Sequence, residues 1–294
     1  MPKVVNERLA SLNASRTPYV HARVVLAEKP TSAKPGDEAL IMADGSIEGF
    51  VGGSCAESTV RQQSLEVLGA GEAMLLRISP MPEPAQSGKK TVHNACLSGG
   101  TLEIFLEPIL PSPLITIFGD SPISGSLMKI APAAGFELRE WSPEVDINGA
   151  TAVVVASHGR DDEGMLLEAA VRAGVPYVGL VASHKRGTAV IEMLDLTHDQ
   201  KALIHSPAGL DLGARTPDGV AISILAHIVQ TMSNATKPET PMVAFETSID
   251  PVCGMSVAMI PESIHADFAG VTVWFCASGC LKAYSANPGA FVSA

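Results

Sequence analysis

Alternation between apolar and polar residues dominates the first hundred positions. In TLEIFLEP (101–108), Leu102, Ile104 and Leu106 recur at every second residue between glutamates, the period of a half-buried strand. VHARVVLA (20–27) predicts another strand, and ALIMADGSIEGFVGG (39–53) predicts a hairpin that turns at Asp44-Gly45. The period then lengthens. In CAESTVRQQSLEVLGAG, Val60, Leu65 and Leu68 have helical spacing, and glycines close the segment. Between this helix and TLEIFLEP lies SPMPEPAQSGKKTVHNACLSGG, a Pro/Ser/Gly-rich stretch longer than an ordinary connection, as in functional or disordered loops.

From about residue 113 the rhythm becomes strand–helix–strand. LITIF, TAVVVAS, VPYVGLV and KALIHS predict buried strands, separated by helical pieces such as DEGMLLEAAVRAG. That order implies a parallel sheet covered on both faces. Pro132 is expected to end or kink the first helix. The last helix is expected to be capped by Thr216, with Pro217 in its first turn. NATKPETPMVAFETS (234–248) reads as a polar linker. The fold class is therefore α/β: an N-terminal α/β domain over 1–110, a Rossmann-like parallel-sheet domain over 111–233, the linker 234–248, and a short module over 249–294.

Composition changes this picture in two ways. The net charge of −11 excludes nucleic acid and anionic membrane surfaces as expected partners, since both require a basic face. No stretch has the apolar length of a membrane span, and MPKVVNERLASLNASR has no apolar core of a signal peptide, so a cytoplasmic location is expected. Five cysteines without an export signal imply reduced thiols rather than a disulfide framework.

Three places carry candidate chemistry. GDSPISGS (119–126) follows the first strand of the sheet, where backbone N–H groups at a helix N-terminus can meet a phosphate. Gly119 keeps its place there, while Ser121 and Ser124 stand where G-x-G-x-x-G has its second and third glycines, followed by Gly125. The acid that reads a ribose is expected at the end of the second strand, where Ser142 stands with Glu140 two residues earlier. His158, after another sheet strand, is a candidate to face the same ligand.

GGSCAE supplies Gly52, Gly53, Cys55 and Glu57, and ACLSGG supplies Cys96, Gly99 and Gly100. Each sets a cysteine beside glycines that let a ligand approach. Cys55 also opens the predicted helix, a position that lowers a thiol's pKa. The third place is the tail. Cys253, Cys276 and Cys280 form C-x22-C-x3-C, thiolates able to converge on one soft metal, copper or zinc, with the fourth ligand open. A segment so short rarely folds on its core alone.

PTSAKPGDEALIMADGSIEGFVGGSCAE, GGTLEIFLEP, YVGLVASHKR and SPAGLDLGARTPDGVAISILAHIV together resemble the XdhC–CoxI family of accessory proteins for xanthine dehydrogenase and carbon monoxide dehydrogenase, over about residues 1–233. The resemblance implies a maturation factor rather than a turnover enzyme. Such a protein binds the molybdenum cofactor, supports its sulfuration and inserts it into a molybdenum hydroxylase apoenzyme. A sulfur donor such as a cysteine desulfurase is an implied partner, and a homodimer is an expected assembly. The family's SGGC stands here as GGSC, and its CGG as Ser98-Gly99-Gly100 with the cysteine displaced to Cys96. DPVCGM…GVTVWFCASGCLKAYSANPGAF resembles the YHS/TRASH metal-binding module. That pairing points to carbon monoxide dehydrogenase, with its copper beside molybdenum, as client. The alternatives are an oxidoreductase using FAD or NAD(P), and a metal-trafficking protein.

Overall fold

The computed structural model describes residues 2–84, 86–94, 100–142, 147–157, 159–234 and 245–291, with side chains from residue 8 onward and that of Asn234 excepted. Cys96, Gly99, His158 and most of the expected linker lie outside the described residues. The chain forms two compact units, one of 1–111 with 239–294 and the other of 112–238.

The first unit opens with α1 (Pro2–Ala14), which the sequence pattern did not announce. Its Leu9 and Leu12 pack on Tyr19, Leu40 and Met42. A six-stranded sheet follows from β1 (Tyr19–Glu28), β2 (Glu38–Met42), β3 (Ile47–Gly49), β4 (Met74–Ser79), β5 (Lys90–His93) and β6 (Thr101–Ile109), in the order β3-β2-β1-β6-β4-β5. The β2–β3 hairpin turns at Asp44-Gly45 as expected, with the Asp44 carboxylate accepting from the Ser46 amide at 2.8 Å. Helix α2 (Ser54–Ala70) lays Val60, Val67 and Leu68 on the buried face formed by Val20, Ala22, Ile41, Leu76, Ile104 and Leu106. Gly71, in the left-handed conformation, stops it. The described residues of the long segment before β6 include a strand, β5, which pairs parallel with β4.

The second unit has strands β7 (Leu114–Phe118), β8 (Glu137–Glu140), β9 (Ala152–Val155), β10 (Tyr177–Leu180) and β11 (Ile204–His205), ordered β11-β10-β9-β7-β8 and parallel throughout. Helices α3 (Pro122–Ile130), α4 (Glu163–Arg172), α5 (His184–Met193), α6 (His198–Lys201) and α7 (Pro217–Asn234) connect or follow them. Side chains alternate across the sheet. Ile115, Ile117 and Val154 meet Leu127 of α3 and Ile224 and Ile228 of α7, whereas Val153, Val155 and Val178 meet Leu166, Leu167 and Ala170 of α4. This is the Rossmann-like doubly wound sheet the pattern predicts. Pro132 lies just past the end of α3, and Thr216 accepts from the Gly219 amide as the cap of α7.

KALIHS departs from its expected strand. Thr197 and Gln200 form a reciprocal capping box that winds residues through Lys201 into α6 and leaves only two for β11.

The tail contains two small hairpins, β12 (Thr247–Ile249) with β13 (Ser256–Ala258) and β14 (Ile264–Phe268) with β15 (Val271–Phe275), then α8 (Ser278–Ala286). It packs on α2 within the first unit, where Phe245, Ala258 and Ile260 cluster with Leu65. Among the described residues, no helix is long and apolar enough to cross a membrane.

Candidate metal centre and nucleotide pocket

Cys253 lies on the turn between β12 and β13, Cys276 just past β15, and Cys280 in the first turn of α8. The strand and helix thus aim three thiols at one point. The Cys253 and Cys276 sulfurs are 3.5 Å apart, those of Cys276 and Cys280 3.7 Å. Ligands about 2.3 Å from one tetrahedral metal stand about 3.8 Å from each other. A carboxylate oxygen of Asp250 joins the three sulfurs within 4.8 Å.

Asp250 is fully buried. One of its oxygens accepts from the Val252 amide at 2.9 Å, the other from the Cys276 amide at 2.8 Å. No basic side chain pairs with it among the described residues. A buried carboxylate beside three thiols therefore lacks a cation, which a bound metal would supply. Hydrogen bonding from Cys276 pulls the Cys253 thiol down, and the same contact, reinforced by Cys55, pushes Cys276 up. Burial, then the Asp250 carboxylate, pushes Cys280 up to about 12. Unmetallated, the cluster keeps protons that a soft cation displaces. His265 takes no part: its ring is exposed, meets the Ser263 carbonyl at 2.8 Å and rests on Trp274.

Of the two glycine–cysteine pieces, GGSCAE forms the start of α2. Gly53 precedes the helix, Cys55 lies in its first turn, and Glu57 stands one turn before Arg61. Gly52 has φ +144°, and a Cβ there would lie 2.9 Å from that of Ala56. Gly100 heads β6 against the backbone oxygens of Glu28 and Pro30. Asn94, which no sequence motif singles out, is buried and donates to the Cys55 carbonyl at 3.3 Å.

In the second unit, β7 and β9 lie side by side although β8 comes between them in sequence. Their carboxyl ends form the crevice where open α/β sheets bind ligands. A cavity of about 420 Å³ occurs there, lined by Gly119, Ser121, Ser124, Gly125, Glu140 and Arg160, among others. Gly119 has φ +110°, and a Cβ would press on the backbone of Ala156 and Ser157 at 2.5–2.6 Å. Only glycine permits this turn.

The serine hydroxyls point inward. Ser121 Oγ caps α3 by accepting from the Ser124 amide at 3.2 Å, and Ser124 Oγ donates to the Ala156 carbonyl at 3.3 Å. Donors for a phosphate are thus the backbone amides of the turn and the Arg160 guanidinium, which lies 4.8 Å over the Phe118 ring. Glu140, which ends β8, and Ser142, at the position expected for the ribose-reading residue, both line the cavity.

Behind this crevice, buried Glu163 accepts from Ser157, from the Gly159 amide at 3.1 Å and from Arg186. Burial opposes its ionisation, but these donors prevail and hold the carboxyl below its usual range. A larger cavity, about 960 Å³, is lined by residues of the 207–214 segment together with Arg186, His205, Ser206 and His227. His205 stacks on Tyr177 at 4.8 Å and meets His227 at 4.4 Å. These histidines carry little signal in the sequence, since each looks like a lone polar residue at an apolar element's edge.

Two family descriptions match the chain: "XdhC and CoxI family" over residues 12–79 and "XdhC Rossmann domain" over 115–228. Among curated relatives, the uncharacterized protein YqeB of Escherichia coli is 25% identical over 77% of this chain and 46% of its own length. A protein of Bacillus subtilis described as a probable xanthine dehydrogenase subunit is 26% identical over 50% of this chain and 52% of its own. The molybdenum cofactor insertion chaperone PaoD of Escherichia coli is 24% identical over 67% of this chain and 78% of its own. The chain spans about half the length of the first two. A solved structure described as a xanthine dehydrogenase from Bacillus halodurans aligns with 80% of this chain and 98% of its own at 17% identity, with a TM-score of 0.39.

Proposed function

The chain belongs to the XdhC and CoxI family, and from that premise we propose that it holds the molybdenum cofactor and inserts it into a molybdenum hydroxylase apoenzyme. The observation that carries this reading is the family match to both units, joined by the similarity to a cofactor insertion chaperone. The cofactor is cargo, and the chain's own groups suit its parts. Backbone amides at the Gly119 turn and the Arg160 guanidinium receive phosphate. Glu140 accepts a hydrogen bond from a ribose when the cargo carries a nucleotide. Cys55, in the first turn of a helix behind two glycines, offers a sulfur to molybdenum or to a sulfur being transferred by a donor protein.

We infer further that the client is of the carbon monoxide dehydrogenase type and that the tail carries copper. The support is the thiolate cluster housed in the same chain as the cofactor-handling units. The Rossmann crevice also favours a second reading, an FAD- or NAD(P)-binding protein, because Gly119 and Glu140 flank one cavity.

Reconstitution separates these. Apo-hydroxylase incubated with isolated cofactor should gain activity when this chain is added, and less when Cys55→Ala is added instead. Equal activity with and without the wild-type chain would contradict the proposal, and an oxidised flavin spectrum in the purified protein would favour the second reading.

A further inference from the structure

Cys55 comes from the N-terminal block, far before the tail in sequence, yet its side chain packs in the cluster of Met255, Val257, Cys276 and Ala277, beside Cys253 and Cys280. Cys55 and Cys276 thus share one packed cluster. The contact is built rather than incidental. Phe245, Ala258 and Ile260 hold β13 against Leu65, further along the same helix α2, and a Cβ at Gly45 would collide with Ile260. Asp250 is the other group beside the three tail sulfurs, but both of its oxygens are engaged by amides of the loop it braces. That engagement suits a group behind the ligands that orients them, in the manner of outer partners of metal sites.

We propose that Cys55 is the fourth ligand of the tail's metal, so that Cys55, Cys253, Cys276 and Cys280 form one four-thiolate site for a thiophilic d10 cation, with Asp250 as its brace. Four sulfurs in tetrahedral array close the coordination sphere, as in structural zinc sites. On binding, each thiol that is still protonated gives its proton to solvent and a metal–sulfur bond forms in its place, with no redox change. The site ties the tail to the sulfur that the maturation reading assigns to the cofactor. Metal and molybdenum therefore contest one cysteine, and the filled site holds Cys55 back. This inference rests on the reading that the tail binds a cation.

The test uses the full chain with cobalt(II) as a spectroscopic probe and zinc(II) as the closed-shell ion. Sulfur-to-cobalt charge-transfer absorbance per bound cobalt should fall by about one quarter in Cys55→Ser, as one of four thiolates is lost. Asp250→Asn should leave that absorbance near its wild-type value. In the wild type, zinc should protect Cys55 from iodoacetamide together with Cys253, Cys276 and Cys280, which reads the site without any variant. Should the wild type bind neither ion, both this inference and the tail-metal reading fail. Should it bind cobalt with unchanged absorbance in Cys55→Ser, or leave Cys55 open to iodoacetamide with zinc bound, only this inference fails.

Discussion

Asp250 illustrates how much one residue does when its chain neighbours are fixed. Its carboxylate holds the amides of Val252 and Cys276, so it sets the directions from which two sulfurs approach. Replacing it by alanine leaves two amides without their acceptor, one of them on a buried cysteine. Asp250→Ala should weaken metal binding about 10–100-fold in a chelator competition, the usual cost of losing an outer partner. Affinity equal to wild type would show that the turn holds itself. Glu140 is the corresponding residue of the second unit. Glu140→Gln should weaken binding of a ribose-bearing pyrophosphate about tenfold by titration calorimetry, in line with a lost charge-assisted hydrogen bond. Unchanged affinity would remove the ribose contact.

At the level of elements, α2 carries both the family's cysteine and the face on which the tail sits. Ile260 is 4% exposed and meets Leu65 and the Asp44-Gly45 turn. Ile260→Ala should cost about 2–5 kcal/mol, seen as a lower Tm, with metal affinity falling as the tail loosens. A Tm unchanged within a degree would mean that the tail's seat on α2 contributes little. β11 and α7 form the second test. Burial pulls the His205 and His227 rings below their ordinary value of 6.5, with His227 adding to the effect on His205. The unfolded chain then binds protons more readily than the folded one as pH drops below about 6.5. Stability present above that value should fade as pH falls, lowering Tm between about pH 7 and pH 5. A flat Tm over that range in the wild type would contradict the sign. His205→Phe should flatten the slope.

The same elements mark what the sequence made legible. Period-two and helical runs identified β1, β6, α2 and the strands β7, β9 and β10, because each buries one face or both. KALIHS misled, since a local capping box outcompeted its apolar run. Helix α1 escaped because, of its described residues, Leu9 and Leu12 alone are in the core, and two of their partners, Leu40 and Met42, lie on a later strand. C-x22-C-x3-C marked the three thiols that the structure brings together, but Asp250 beside them was hidden within DPVCGM as ordinary turn chemistry. Cys55 could not be linked to the tail from spacing, because docking on α2 is a tertiary event. Ser121 and Ser124 stood out only as replacements for glycines, and sequence could not show that their hydroxyls cap the helix and bond the backbone after the neighbouring strand.

At the scale of the whole molecule, the chain leaves its first unit, completes a parallel-sheet unit, and then returns to the first with its tail. A crevice at the carboxyl edge of the sheet lies in one unit and a cysteine cluster in the other, the groups that the proposed cofactor carrier would use. Acidic residues outnumber basic ones by 31 to 20, which suits a protein partner rather than a nucleic acid. The most direct measurement is anaerobic purification from cells that make the cofactor, followed by assay of pterin and molybdenum per chain and of transfer to apo-hydroxylase. The account predicts bound pterin that leaves the chain as hydroxylase activity appears. Protein free of pterin that confers no activity would contradict it.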